Sequence, residues 1–361
     1  MNNHTVLSKF KKLYSIAKNR CGDSFFQRIV FHNPINGTIN LLKIARSLSK
    51  DELPGNPSFY PPAIILEVTN RCNLKCNTCI LGTDKAYNGY QKKDISFDEF
   101  KHILKQIPPL VHVWLQGVGE PLLNQELPRM VEYAYSKGIT CSFNTNGLLL
   151  NEKIIRELTK VKLAELYISI NTTDEALFKK TKSGASLLKI IDNVSNLVNI
   201  RNKLGEKHPV IGIRVILMQD TIGTAEILIK KAANLGVEKI GFQDYLTGFG
   251  NIDQDNQKID DDTFKQIMDK LFLAGEKYNI TVINDKTGTE KGSCTQPWFS
   301  PFITAEGYVA PCCDVFEPRS LNYGNIFEQD FREIWLHHEF VKLRGNFRKI
   351  KPSICYHCPL Y

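Results

Sequence analysis

The stretch EVTNRCNLKCNTCILG, residues 67–82, carries Cys72, Cys76 and Cys79, with three and then two residues between successive cysteines. A tetrahedral zinc site takes four ligands and a redox pair takes two thiols. Three thiolates meet a different need. Four protein thiolates saturate a [4Fe–4S] cube, whereas three leave one iron open to a small molecule. Zinc with a ligand from afar and chance clustering are the competing readings, and the spacing favours the cluster.

A second group holds Cys294, Cys312, Cys313, Cys355 and Cys358, which makes four ligands with a choice at one position. The Cys355-x2-Cys358 spacing lets two thiolates converge on one metal. On spacing alone this set suits zinc or a second cluster. His357 lies between ligands and reads as a solvated or supporting residue. Cys21 and Cys141 stand alone and read as small buried hydrophobes. The N-terminus, MNNHTVLSKFKKLYSIAKNR, lacks the apolar core and cleavage site of a signal peptide. Ten cysteines in 361 residues therefore point to metal binding in the cytoplasm, not to a disulfide framework.

Something must position the trio. From residue 63 short apolar, β-branched runs alternate with helical segments: strands at 63–69, 111–117, 139–145, 165–171, 210–218 and 238–244. The helix at 96–107 opens on Ser96 with Glu99 three residues on, a capping box. The alternation predicts an α/β fold, a partial (β/α)6 barrel with its long first loop, and hence the trio, at the carboxyl edge of a parallel sheet. No Gly-x-Gly-x-x-Gly follows the first strand, which argues against a dinucleotide fold. After a helix near 261–277 the pattern changes. FITAEGYVAPCC, 302–313, predicts a hairpin turning at Glu306-Gly307, followed by a helix near 328–346 and a cysteine-bearing tail. This part is poor in long apolar runs, and a metal would compensate. Three units are expected: 1–60 a helical extension ending in the linker LPGNPSFYPP, 61–250 the barrel, and 251–361 a linker helix with the second cysteine group.

CNLKCNTC resembles the C-x3-C-x2-C signature of the radical S-adenosylmethionine (SAM) superfamily. LQGVGEPLLN resembles its Gly-Glu-Pro motif, here Gly119, Glu120 and Pro121. NTNG, 144–147, resembles its Thr-Asn-Gly turn, and YISIN, 167–171, its fourth strand. The usual Ser-x-Asp there is Ser169-Ile170-Asn171. EGYVAPCCD, YGNIFEQDFREIW and CYHC resemble the SPASM and shorter twitch extensions of that superfamily. The resemblance implies a [4Fe–4S] cluster on Cys72, Cys76 and Cys79 that chelates SAM and cleaves it to a 5′-deoxyadenosyl radical. It also implies SAM contacts from Thr78, backbone at Gly119–Glu120, Ser169 and Tyr245. A second, auxiliary [4Fe–4S] cluster on Cys294, Cys355, Cys358 and either Cys312 or Cys313 would accept an electron, with Cys312 favoured. Asp314 is the candidate base; an aspartate there also suits a turn. A flavodoxin- or ferredoxin-type reductant is the family expectation.

Charge narrows the partners. The net charge of +8 is concentrated in residues 1–60, with nine Lys or Arg against three Asp or Glu. There Val6, Leu7, Phe10, Leu13, Ile16 and Ala17 recur at helical spacing. Such a basic helix either packs on the body, the favoured reading, or makes peripheral contact with an acidic partner or lipid surface. The rest is nearly neutral, so no nucleic acid is expected. No apolar run is long enough for a membrane span. Polar residues near strand ends, Gln116, Gln243 and Asp244, are candidates to line the pocket. The leading expectation is an oxidoreductase that dehydrogenates a hydroxyl-bearing small molecule, a sugar or cyclitol. The alternative is a peptide- or protein-modifying enzyme, and the third reading is a zinc-stabilised binding protein without catalysis.

Overall fold

Seven short runs become parallel strands of one sheet: β1 Ala63–Leu66, β2 His112–Trp114, β3 Thr140–Thr145, β4 Glu165–Ser169, β5 Val210–Leu217, β6 Lys239–Asp244 and β7 Thr281–Asn284. The structure is a computed structural model that describes residues 34–48, 53–83, 91–245, 256–285, 294–313, 323–347, 349–355 and 358. The basic helix expected from Val6 to Ala17, Cys21, Asp314 and His357 lie outside the described residues.

The first six strands form where the apolar runs predict them. Each is followed by a helix or loop that recrosses to the next strand, and neighbours pair in sequence order. β7 is an addition. Its sequence, TVIN, is short and partly exposed, so nothing in its pattern separates it from a loop. The helices start on side-chain caps. Ser96 Oγ accepts from the Glu99 backbone N–H at 3.2 Å while the Glu99 carboxylate accepts from the Ser96 N–H at 2.8 Å. The side chains of Asn151, Asp174, Ser186 and Asp260 cap later helices, each accepting one backbone N–H, and each cap contributes about 1 kcal/mol.

The two-residue period of a strand sorts the sheet into two faces. Ile64, Val113, Phe143, Leu166, Ile213 and Phe242 face outward and are buried under the helices. Cys141 shares that face at 1% exposure, a small hydrophobe as expected. The inward set is polar: Gln116, Asn144, Tyr167, Ser169, Arg214 and Gln243. Asp244, adjacent to Gln243, falls on the other face and does not line the cleft.

The expected hairpin forms as β8 Phe302–Ile303 and β9 Val309–Ala310, with Gly307 at φ +92° in its turn. A Cβ at Gly307 would sit 2.4 Å from Asn325 Oδ1. β8 pairs in parallel with β1, so the hairpin continues the barrel sheet in the order β7-β6-β5-β4-β3-β2-β1-β8-β9. The single helix expected near 328–346 is two, Phe331–Trp335 and His338–Asn346, broken where His337 turns extended at ψ 135°. Nor is the C-terminal part poor in core. Its apolar residues are scattered singly, yet Phe59, Trp298, Phe299 and Phe347 gather with Ile44 and Leu48 of the helix Pro34–Leu48. The expected linker is part of that core. Phe59 is 0% exposed and stacks on Phe299 at 5.8 Å, Trp298 Nε1 donates to Pro54 O at 2.7 Å, and Trp335 Nε1 to Phe59 O at 2.9 Å. Among the described residues no helix is long and apolar enough to cross a membrane.

Candidate active site

The trio lies on the loop after β1, at the carboxyl edge of the sheet. Tight turns order it. Cys79 N–H donates to Cys76 O at 3.0 Å, Gly82 N–H to Cys79 O at 2.9 Å, and the Leu74 N–H points at Cys72 Sγ at 3.5 Å. Gly82 has no room for a side chain, since a Cβ would meet Cys76 O at 2.2 Å. Asn77 moors the loop to the helix Glu175–Thr181, donating from its backbone to Thr181 O at 3.0 Å and from Nδ2 to Lys180 O at 2.8 Å. Burial pushes all three thiols up, Cys79 to about 12. Such thiols are inert until a metal replaces their protons.

A cleft of about 340 Å³ opens beside them. It brings together with the three cysteines the residues named by the resemblance, Thr78, Gly119, Glu120, Ser169 and Tyr245, and the strand-end candidates Gln116 and Gln243. Glycines bare the backbone of the loop after β2. A Cβ on Gly117 would meet the Glu67 side chain at 2.5 Å, and one on Gly119 would meet Thr69 O at 2.1 Å. Glu120 N–H donates to Arg71 O at 2.8 Å, which ties this loop to the cysteine loop. The Glu120 carboxylate accepts from Thr145 Oγ1 at 2.7 Å, Asn146 N–H at 2.8 Å and Leu122 N–H at 3.2 Å. Burial pushes that carboxyl up and these donors only partly restore it. Its side chain is thus a strut between the loops after β2 and β3.

Several residues of the site escape the sequence reading. Lys182 is 5% exposed, lines the cleft, and donates from Nζ to Ser169 O. Burial pushes its ammonium below the ordinary value, while Cys76, Glu120, Cys72 and Cys79 draw it back. A lysine just past a helix end is routine, so its sequence context hides it. Glu67, 2% exposed, accepts from Val118 N–H at 3.2 Å and Ala305 N–H at 3.1 Å, joining the glycine loop to the hairpin. Arg214 pairs with Asp285 and lies 4.3 Å from the Tyr167 ring. Asp285 follows the unanticipated β7, which is why the pair could not be read.

The residues fit the cluster and SAM. The donor set is three thiols on one loop. Gln116 Oε1, Asn144 Oδ1 and Tyr245 OH are buried in or beside the cleft with no hydrogen-bond partner. Together with the bared glycine backbone and the Lys182 cation they suit a polar, zwitterionic nucleoside.

The second group is assembled differently. Cys294 starts the turn into the short helix Gln296–Phe299, its Sγ accepting from Gln296 N–H at 3.4 Å. Cys294 and Cys355 pack against the Trp298, Phe299 and Phe347 core. Cys358 N–H donates to Cys355 O at 3.1 Å. Cys312 and Cys313 follow β9 and pack with Ile65, Phe302 and Trp114. Cys313, not Cys312, lines the cleft shared with the trio.

Residues 66–228 match the family model of the radical SAM superfamily, and residues 294–359 match that of the SPASM iron–sulfur cluster-binding domain. The chain belongs to the radical SAM superfamily and carries a SPASM domain at its C-terminal side. Its cofactors are accordingly a [4Fe–4S] cluster with SAM, and auxiliary iron–sulfur. It is 22% identical over 319 residues to the tungsten-containing aldehyde ferredoxin oxidoreductase cofactor-modifying protein of Pyrococcus furiosus, covering 82% of this chain and 87% of that one. It is 22% identical to the PqqA peptide cyclase of Xanthomonas euvesicatoria pv. vesicatoria, over 84% of this chain and 82% of that one. Its fold is that of Streptococcus suis SuiB bound to the precursor peptide SuiA, with TM-score 0.67 at 17% identity over 90% of this chain and 76% of that one. SuiB bound to S-adenosylmethionine aligns with the same TM-score, 0.67, at 18% identity over 100% of this chain and 87% of that one. Dehydrogenation of a sugar or cyclitol, the leading expectation from sequence, finds no support among these relatives. The alternative, modification of a peptide, does.

Proposed function

We propose that this chain is a peptide-modifying radical SAM/SPASM enzyme. The observation that carries the reading is the shared cleft. The cysteine trio, the glycine cradle and Cys313 of the C-terminal hairpin line one cavity, in a chain similar over most of its length to a peptide cyclase. When bound, the cluster and SAM supply reductive cleavage of a sulfonium and a carbon radical that removes a hydrogen atom from substrate.

The chain's own residues hold and shield this chemistry. Cys72, Cys76 and Cys79 would hold the cluster. Backbone at Gly119–Glu120 offers carbonyl acceptors to an ammonium, and Lys182 offers a buried cation to a carboxylate. Ser169, Thr78 and Tyr245 would flank the ribose and adenine. Glu120 keeps its place through Thr145 and Asn146. The Arg214–Asp285 pair and Gln243 form the polar wall left for substrate. Cys294, Cys355 and Cys358 would hold the auxiliary cluster with Cys312, because Cys313 is turned to the cleft. A flavodoxin- or ferredoxin-type protein would supply the electron.

The test is anaerobic reconstitution, reduction, and incubation with SAM and peptides encoded beside the gene. The expected result is 5′-deoxyadenosine together with a peptide mass change. Loss of two hydrogens from a hydroxyl-bearing small molecule, with no peptide modified, would restore the dehydrogenase reading.

A further inference from the structure

One cation deep in the C-terminal part meets no anion among the described residues. Arg344, on the helix His338–Asn346, is 2% exposed. Its guanidinium lies between the rings of Trp335, at 3.7 Å, and Phe340, at 3.5 Å. Nε donates to Pro297 O at 3.0 Å and Nη1 to Trp335 O at 2.8 Å. Nη2 is buried with no hydrogen-bond partner. Among the described residues no Asp or Glu pairs with Arg344. Two carbonyls and two ring faces offset part of the cost of burying the charge, but not all of it. A methionine of similar volume would fill the same space without that cost.

The surroundings identify the missing charge. Pro297, which takes the Nε–H, lies in the short helix that Cys294 introduces. Leu343 and Phe347, flanking Arg344 along the chain, pack in the same apolar cluster as Cys294 and Cys355. Tyr323 stacks on Phe340 at 4.4 Å and is acted on by both the Arg344 charge and Cys355. The cation therefore sits in the packing that also holds Cys294 and Cys355.

We propose that Arg344 is the buried countercharge of the auxiliary iron–sulfur cluster. It is a positioning residue, not a ligand and not a catalytic residue. Four thiolates and their cube carry net negative charge, which grows on reduction, so a fixed cation beside them stabilises the loaded site and favours its reduced form. The proposal rests on reading Cys294, Cys312, Cys355 and Cys358 as cluster ligands.

The test uses the full chain carrying Cys72→Ala, Cys76→Ala and Cys79→Ala, so that the auxiliary site alone loads iron. Arg344→Met and Arg344→Lys are compared with this parent, iron-free and loaded. The proposal predicts that Arg344→Met leaves the iron-free protein at least as stable to heat, yet loses iron to a chelator faster once loaded. At one fixed potential its reduced-to-oxidised ratio falls at least tenfold, about 59 mV for a one-electron couple. Arg344→Lys keeps the ratio within threefold of the parent. Equal destabilisation of iron-free and loaded protein by Arg344→Met, failure of that variant to fold without iron, or an unchanged ratio would each overturn the proposal. A parent that loads no iron at all would instead overturn the assignment of the cysteines as ligands, and the proposal with it.

Discussion

Cys72, Cys76 and Cys79 sit on one short loop, set by backbone turns and moored through Asn77 to the next layer of the barrel. Cys294, Cys312, Cys355 and Cys358 come from three separated segments, and only an aromatic core of Phe59, Trp298, Phe299 and Phe347 brings the first and third of these together. The first site is therefore local and shaped before a metal arrives. The second pays loop-closure entropy and depends on distant packing, so iron there does more to hold the fold. The buried cations follow the same division. Lys182 is hydrogen-bonded within its site and faces Glu120 as well as the thiols. Arg344 has carbonyls and rings but, among the described residues, no carboxylate.

The sharpest way to break this comparison is to remove one thiol from each group. Cys76→Ala is expected to abolish SAM cleavage, a loss on the order of a thousandfold or more, and to leave about four of roughly eight irons. Cys355→Ala should lose the other four, keep 5′-deoxyadenosine formation, and yield no modified product. Iron assay, nucleoside chromatography and product mass read both. Next in size is Phe59→Ala. Emptying that core should cost about 3–5 kcal/mol in denaturant unfolding and lower iron loading at the second site more than at the first. Loading that falls equally at both would erase the distinction between a local and an assembled site.

Gly119→Ala tests the cradle. Its methyl would press on Thr69 O at 2.1 Å, so stability should drop by about 1–3 kcal/mol and SAM binding should weaken, read by calorimetry on the loaded enzyme. Lys182→Met should weaken SAM binding by roughly tenfold, the scale of one charge-assisted hydrogen bond, while iron content stays near the parent value. Ser96→Ala, which touches neither site, should cost only about 1 kcal/mol and leave both iron and SAM binding intact.

The same contrast explains what the chain reveals before it folds. The spacing of the trio and the capping box at Ser96 could be read directly, and Gly119 and Ser169 came only through the family resemblance. Residues whose meaning comes from tertiary neighbours could not be read. Lys182 looks like any lysine after a helix. Glu67 looks like a strand residue until Val118 and Ala305 both donate to it. Asp285 follows a strand too short to announce itself. The linker around Phe59 reads as flexible from its prolines and glycines, yet Phe59 is fully buried. Arg344 carries no motif at all, and only its ring sandwich and the lack of an anion among the described residues mark it.

The account stands on an iron–sulfur cube held by three cysteines with one iron free for SAM. Electron paramagnetic resonance of the reduced, reconstituted Cys355→Ala protein, with and without SAM labelled at its amino nitrogen, measures this directly. The account predicts a changed signal with resolved coupling from the labelled nitrogen to the cluster. A signal indifferent to SAM, or a cube whose fourth corner is capped by a protein side chain, would contradict it.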